Sequence, residues 1–280
     1  MTNSSEWMKA RLQETPVPQV DLRTDIPHSA RIYDYVLGGK DNFPADREAA
    51  EQMLRGWPSL RTSMRQSRAF MHRVTRYLAA EQGVRQFLDV GTGIPTEPNL
   101  HQVAQGVAPD AQIVYVDNDP MVLVHARALL TSSAEGRTAY LQADMREPQA
   151  IITAPQLHDT FDLTRPVALS VIAVLQFVPD DLDPVGIVQR LLEPLPSGSF
   201  LALSMVTTDS NPAIGDVVRE YNARGINVTA RTHKQVEQFF DGLEPVDPGV
   251  VLVHRWRPDG SATDLDDADV AMYGGVARKP

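Results

Sequence analysis

No cysteine occurs in the 280 residues. That absence removes disulfides, thiolate metal sites and cysteine nucleophiles together, and a reducing cytoplasm is the simplest setting for such a chain. No apolar run approaches the roughly 18 residues that span a bilayer, so no membrane partner is expected. Positive charge is in deficit: 26 Lys and Arg stand against 36 Asp and Glu, a formal net charge of −10. That sign opposes nonspecific attraction to nucleic acid or anionic lipid. The seven histidines are scattered without an H-x-x-x-H pair, so no metal is expected, and His101 and His125 read as residues on helix faces. No serine stands in a G-x-S-x-G elbow, which leaves hydrolase chemistry without support.

What is present is a rhythm. The length suffices for one large domain or one domain with an extension. Residues 1–25 lack the basic stretch and apolar block of a secretory signal and read as a disordered leader. From residue 86 onward, strand-like and helix-like segments alternate. Strands are expected at 86–91, 111–119, 137–145, 166–177 and 199–206. Helices are expected near 96–106, from Pro120 and over DLDPVGIVQRLLEPL. The run PVALSVIAVLQF is the most apolar and suits a strand buried on both faces. After a helix at 233–243 come strands at 250–258 and 272–279 without a helix between them, which suggests an antiparallel pair at or near a sheet edge. The expected fold class is α/β: a doubly wound, mainly parallel, Rossmann-like sheet of seven strands with an antiparallel last strand over residues 84–280, behind an N-terminal helical cap at 26–83 whose helices open at Pro44 and Pro58.

One cap helix is unusual in charge. From Arg55 to Ala80 there are six arginines and no acid. At helical spacing Leu60, Met64, Met71, Val74 and Leu78 form a core stripe, and Arg61, Arg65, Arg68, His72 and Arg76 a cationic one. Such a stripe is either a solvated face or a place where an arginine meets an anionic ligand.

The strand ends carry the chemistry. After the first strand comes Asp89-Val90-Gly91-Thr92-Gly93, where glycines let backbone approach a ligand and the next helix offers amide donors. A dinucleotide fingerprint would place a third glycine where Thr96 stands. Asp89 would moreover repel a pyrophosphate yet suit a cationic or hydroxyl-bearing ligand, so a nucleoside without phosphates is favoured. Asp117 ends the second strand, where a carboxylate accepts both ribose hydroxyls, and Asp144 ends the third, within reach of an adenine amino group. Each acid taken alone also reads as a cap or turn residue.

These features resemble class I S-adenosyl-L-methionine-dependent methyltransferases, whose first motif is acid-x-Gly-x-Gly. The segments RIYDYVLGGKDNFPADRE, RQFLDVGTGIPT, IVYVDNDP, LQFVPDD and FFDGLEPVDPGVVLVHRWRPDG further resemble one bacterial methyltransferase family long carried as a domain of unknown function, from about residue 26 to the end. The resemblance implies S-adenosylmethionine as cofactor, held by Asp89, Gly91, Thr92, Gly93, Asp117, Asn118, Asp144 and Met145. It also assigns RIYDYVLGGKDNF to a cap peculiar to that family. There Gly39 and Lys40 are expected against the cofactor, and Tyr33 and Asn42, with Gln176 and Phe177 after the central strand, against the acceptor. The plain alternative is a helix-ending Gly-Gly turn with a solvated Lys40 and core tyrosines. The resembled family commonly carries histidine at the positions of Gln176 and Met205, so a histidine-dependent step is not expected here.

In-line methyl transfer rests on alignment, so no catalytic residue is assigned. Asp180 reads either as a proton acceptor or as a helix cap. The −10 charge and the absence of an N-P-P-Y-like tetrad in LQFVPD disfavour nucleic acid, leaving a small-molecule acceptor. Two other classes stay open: a noncatalytic S-adenosylmethionine-binding sensor, which the departures at Gln176 and Met205 would fit, and an NAD-dependent oxidoreductase, which would have no use for Asp89.

Overall fold

The computed structural model describes residues 23–129, 131–223, 226–260 and 264–280. Of the leader expected at 1–25, residues 1–22 lie outside the described residues. Three helices come first: α1 (Ser29–Leu37), α2 (Pro44–Gly56) and α3 (Leu60–Ala80). Pro44 opens α2 as expected, its fixed φ and missing N–H suiting the first turn. Pro58 does not open α3. It lies in a turn closed by Leu60 N donating to Trp57 O at 3.0 Å, and the helix starts at Leu60 after Ser59. The core stripe of α3 is buried at all five expected positions, and Arg65 and Arg76 of the cationic stripe are exposed.

The sheet follows. Strands β1 (Gln86–Val90), β2 (Gln112–Asp117), β3 (Arg137–Gln142), β4 (Ala168–Ile172) and β5 (Phe200–Val206) pair in parallel in the order β3-β2-β1-β4-β5. Between them run α4 (Leu100–Val107), α5 (Pro120–Leu129), α6 (Pro148–Ile152), α7 (Pro155–Thr160) and α8 (Pro184–Leu192), and α9 (Ile214–Ala223) and α10 (His233–Glu237) come after β5. Helix α4 starts four residues later than expected because Pro95 and Pro98 hold the preceding chain out of helix and Gln102 Oε1 accepts from Asn99 N at 2.6 Å, capping it there. Alternate strand residues go to opposite cores, as a period of two dictates. Phe87, Ile113, Ala168 and Phe200 join the cap helices, α4 and α9, whereas Leu88, Val114, Leu169 and Leu201 join α6, α7 and α8. Both faces are therefore covered, which explains the near-continuous apolar runs. No helix among the described residues is long and apolar enough to cross a membrane.

The tail departs from expectation in its helix, where the segment expected at 233–243 is α-helical only over His233–Glu237 before a 3-10 turn at Gln238–Phe240, and in its strands. Strand β8 (Met272–Arg278) pairs antiparallel with β5, and two-residue strands β6 (Glu244–Pro245) and β7 (Val251–Leu252) pair antiparallel with β8, giving eight strands. The segment expected as a strand over 250–258 yields only Val251–Leu252 before a 3-10 turn at Val253–Arg255. Arg73 of α3 is the cause, because its guanidinium donates to Val253 O at 2.6 Å and Trp256 O at 2.9 Å, bending those carbonyls off the sheet while Trp256 sinks fully into the core.

A buried charge network fastens the cap to the sheet. Asp46 of α2 is fully buried; its carboxylate accepts from His28 N at 2.8 Å and Phe43 N at 2.9 Å. Arg31 Nε lies 3.7 Å from Asp46 and 3.7 Å from Asp119, which follows β2. Removing one member of such a buried set strands the others, so Asp46→Ala is expected to cost about 3–5 kcal/mol in denaturant unfolding. A loss below about 1 kcal/mol, the range of exposed pairs, would show that the cap is held elsewhere.

Candidate active site

Between β2 and β4 the strand order reverses around β1, and a crevice opens beyond the carboxyl ends, as open α/β sheets provide. It is lined from the sheet by Asp89 to Gly93, Asp117, Asn118, Ala143 to Met145, Ile172 to Val174 and Phe177, and from the cap by His28 to Ala30, Tyr33, Arg68 and Met71. Ten of the residues singled out in the sequence meet here: Asp89, Gly91, Thr92, Gly93, Asp117, Asn118, Asp144, Met145, Tyr33 and Phe177.

The turn after β1 is built around two glycines and one acid. Gly91 has φ +78°, and a Cβ there would come within 2.5 Å of Val174 Cγ2, so only glycine lets the loop after β4 pack against the turn. Gly93 has φ +68°, and nothing lies within 4 Å of the point where its Cβ would stand; its amide donates to Asp117 Oδ2 at 2.8 Å. Asp117 Oδ1 accepts from Asp119 N at 2.9 Å. One carboxylate thus joins the end of β2 to the turn after β1 and still keeps free lone pairs.

The three acids differ electrically. Burial pushes the Asp89 carboxyl up to about 6, against the Ser170 and Thr92 hydroxyls and the Arg68 charge, which favour ionisation. Burial also raises Asp117, opposed by the two amides it accepts from. Asp144 goes the other way, down to about 2, because Arg146 grips it: Arg146 Nε to Asp144 Oδ1 is 2.9 Å, and Asn118 Nδ2 adds a bond at 3.2 Å. On the opposite wall Arg68, from the cationic stripe of α3, donates to Pro98 O at 2.9 Å. It also favours the phenolate form of Tyr33, whose hydroxyl burial nonetheless pushes up.

The Gly-Gly segment stands apart from the crevice against which Gly39, Lys40 and Asn42 were expected. Gly39, Lys40 and Asn42 do not line the crevice. Gly38 ends α1 at φ +90°, Gly39 N donates to Asp34 O at 2.8 Å, and Asp34 Oδ2 accepts from Asp41 N at 2.9 Å and Asn42 Nδ2 at 2.8 Å. Asn42 is buried in that turn, Lys40 is exposed, and the Tyr35 hydroxyl donates to Glu51 at 2.6 Å. The segment is a helix-ending turn wound around Asp34, and Tyr33 is what it sends to the crevice.

Gln176 lines a second, apolar pocket that shares Ser29, Tyr33 and Phe177 with the first. Asp180 does not cap the next helix: it accepts from Arg231 at 2.7 Å, and Asp183 caps α8 by accepting from Gly186 N at 3.0 Å. Met205 is fully buried in the second core. Sequence reasoning missed His28 and Ala173, as well as Arg231, whose guanidinium also binds Leu175 O at 2.9 Å and Val178 O at 2.8 Å. Of the cap's charged residues, the arginine stripe carried a readable signal without saying which member enters the crevice; it is Arg68.

The chain matches a family described as S-adenosyl methyltransferase over residues 15–280. A DUF574 family protein from Streptomyces avermitilis MA-4680 is 58% identical across 92% of this chain and 100% of its own, with a TM-score of 0.90. A protein from Thermobifida fusca YX is 37% identical across 95% of this chain and 99% of its own, with a TM-score of 0.85. The plantazolicin methyltransferase BpumL, in complex with a triazolic desmethylPZN analogue and S-adenosylhomocysteine, shares the fold at 11% identity, covering 90% of this chain and 96% of its own, with a TM-score of 0.54. No curated protein matches. With nearly its whole length matched and more than half its residues shared with one solved relative, the chain belongs to the S-adenosyl methyltransferase family, and its cofactor is S-adenosylmethionine.

Proposed function

We propose that the protein is a cytoplasmic enzyme that transfers the methyl group of S-adenosylmethionine to a small-molecule acceptor. Its cofactor site would be the crevice at the ends of β1, β2 and β3, with Asp89, Gly91, Thr92, Gly93, Asp117, Asn118, Asp144 and Met145 as the binding residues. The observation that carries this reading is the convergence of three carboxylates from three successive strand ends on one cavity, with Arg68 on the facing wall.

The residues present suit the cofactor. A carboxyl lifted to about 6 by burial marks a place short of positive charge, which a sulfonium or ammonium group would bring. The free lone pairs of Asp117 suit ribose hydroxyls, and the open space at Gly93 admits a ligand close to the backbone. When bound, the cofactor supplies a methyl carbon already activated by its sulfonium. The task of this chain's residues is then alignment and exclusion of water, and alignment alone can reach effective molarities of order 10⁵ M or higher. Tyr33, Gln176 and Phe177 are proposed for the acceptor side. Gly39 and Asn42 act one step back, in the turn wound around Asp34 that ends α1, and Lys40 faces solvent.

Calorimetry with S-adenosylmethionine, S-adenosylhomocysteine and NAD side by side tests the reading: the first two are expected to bind, and strong binding of NAD alone would overturn it. Asp117→Ala should lose S-adenosylhomocysteine affinity by about 1–3 kcal/mol, since ribose hydroxyls lose a charged partner and Gly93 its tether. A change below about 0.3 kcal/mol would place the ribose elsewhere. The pH dependence follows from Asp89. A cation binds the ionised carboxylate better, so affinity for S-adenosylmethionine should be full above about pH 6 and fall by up to about tenfold per unit below it. Asp89→Asn should flatten that profile; a wild-type profile that is already flat would remove Asp89 from the cation's surroundings.

A further inference from the structure

Behind the Tyr33 and Phe177 rings, the second pocket is walled by α1, by the α2–α3 junction and by α9, with Trp57, Met64, Val217 and Tyr221 among its lining and no charged side chain. Two of its aromatic walls have their polar ends satisfied: Tyr221 Oη donates to Ala49 O at 2.6 Å and Trp57 Nε1 to Ser59 Oγ at 3.1 Å. Gln176 is the exception. Only 3% exposed, it donates from Nε2 to Ala173 O at 2.6 Å. A carbonyl can only accept, so that bond fixes which end of the amide is nitrogen. Oε1 is left buried without a hydrogen-bond partner among the described residues.

The orphaned oxygen sits on a segment that cannot easily turn to relieve it. Arg231, itself buried, binds the carbonyls of Leu175 and Val178 on either side of Gln176, and Thr229 N donates to Gln176 O at 2.7 Å. Ala173 is held in the left-handed region at φ +54°, a conformation that persists only where surroundings enforce it. Of the nine buried side-chain polar atoms without a hydrogen-bond partner among the described residues, Gln176 Oε1 is the one that belongs to this pocket's lining, and a buried acceptor kept in place calls for a donor from outside. The pocket meets the cofactor crevice at Ser29, Tyr33 and Phe177, so a molecule seated in it would reach toward the transferable methyl group.

We propose that this pocket takes the body of the methyl acceptor, and that the acceptor is a neutral, mainly apolar molecule, such as one with an aromatic ring, carrying one N–H or O–H group that donates to Gln176 Oε1. The inference rests on the methyltransferase reading above. An ionic body would be stripped of water there with no counter-charge to meet it. A purely hydrocarbon body would leave Gln176 unsatisfied.

The test uses the full chain and two probes of nearly equal shape, indole and 1-methylindole, of which only the first has a donor. Affinities are measured by calorimetry or ligand-observed NMR in saturating S-adenosylhomocysteine, whose own binding is recorded first. Indole is expected to bind wild-type protein about two- to tenfold more tightly than 1-methylindole, the worth of one hydrogen bond. Gln176→Leu should erase the difference while still binding S-adenosylhomocysteine, and Val218→Phe, which fills the pocket, should weaken both probes together. Equal binding of the probes to wild type, a preference that survives Gln176→Leu, or no binding of either probe to protein that holds S-adenosylhomocysteine would overturn the inference alone. Failure of S-adenosylhomocysteine to bind would instead overturn the cofactor reading, and the same probe comparison on the free protein would then decide whether the pocket stands without it.

Discussion

The turn after β1 is tied to the end of β2, and the crevice takes its shape at that junction. Asp117 takes the amides of Gly93 and Asp119 on its two oxygens, and the amides of Gly91 and Thr92 donate to Val116 O at 2.8 and 3.2 Å, so two loops that leave neighbouring strands are set relative to each other by one carboxylate and one carbonyl. A parallel sheet covered on both faces leaves little room for polar groups within it, since each strand interior must be apolar on both sides. Polar chemistry is thereby pushed to the strand ends, where loops are free of the ladder. The reversal of strand order around β1 then separates two loops enough for a ligand to enter between them.

The cap closes this opening, and its chemistry is the complement of the rim's. The rim is acidic, with Asp89, Asp117 and Asp144, while the wall facing it carries Arg68 from a helix that has no acid. The cap is also tied to the rim by charge, since Arg31 lies between Asp46 in α2 and Asp119 beside Asp117. His28 adds a contact of 3.1 Å to Asp119. His28 thus both holds the cap and lines the crevice, Arg31 and Asp119 each sit one residue from a lining residue, and a ligand displacing the turn after β2 would act on the cap through Asp119.

Much of this was legible in the sequence, for a physical reason. Successive parallel strands deliver their ends to one rim, so three acids at three strand ends converge whatever the loops do. The helical stripe of α3 was legible for the same reason, because periodicity survives packing. What could not be read depends on contacts between residues far apart. Arg73 reaches the carbonyls of Val253 and Trp256 and turns an expected strand into a short ladder and a 3-10 turn. Arg231 reaches back to Leu175 and Val178 with nothing in its neighbourhood to announce it. At shorter range, the two readings of the Gly-Gly-Lys-Asp-Asn segment could not be separated in the sequence, because the choice rests on Asp34, whose carboxylate takes the Asp41 amide and the Asn42 side chain just past the end of its helix.

The unequal ionisation of the three acids separates their parts in the proposed site. Asp144 is neutralised by Arg146 before any ligand arrives, so it adds little net attraction for a cation and serves best as an oriented acceptor at the end of β3. Asp117 is raised by burial but steadied by two amides, which suits a group that must accept hydrogen bonds from neutral hydroxyls without changing its charge. Asp89, as buried as Asp117 and like it raised by burial, reaches about 6. Its carboxylate is destabilised by burial more than its neighbours compensate, and an arriving positive charge recovers that difference. Discrimination for the sulfonium cofactor over its thioether product, which keeps the same ammonium and carboxylate, would then rest on a contact of Asp89 with the sulfonium itself, with the other two acids recognising the nucleoside that both share.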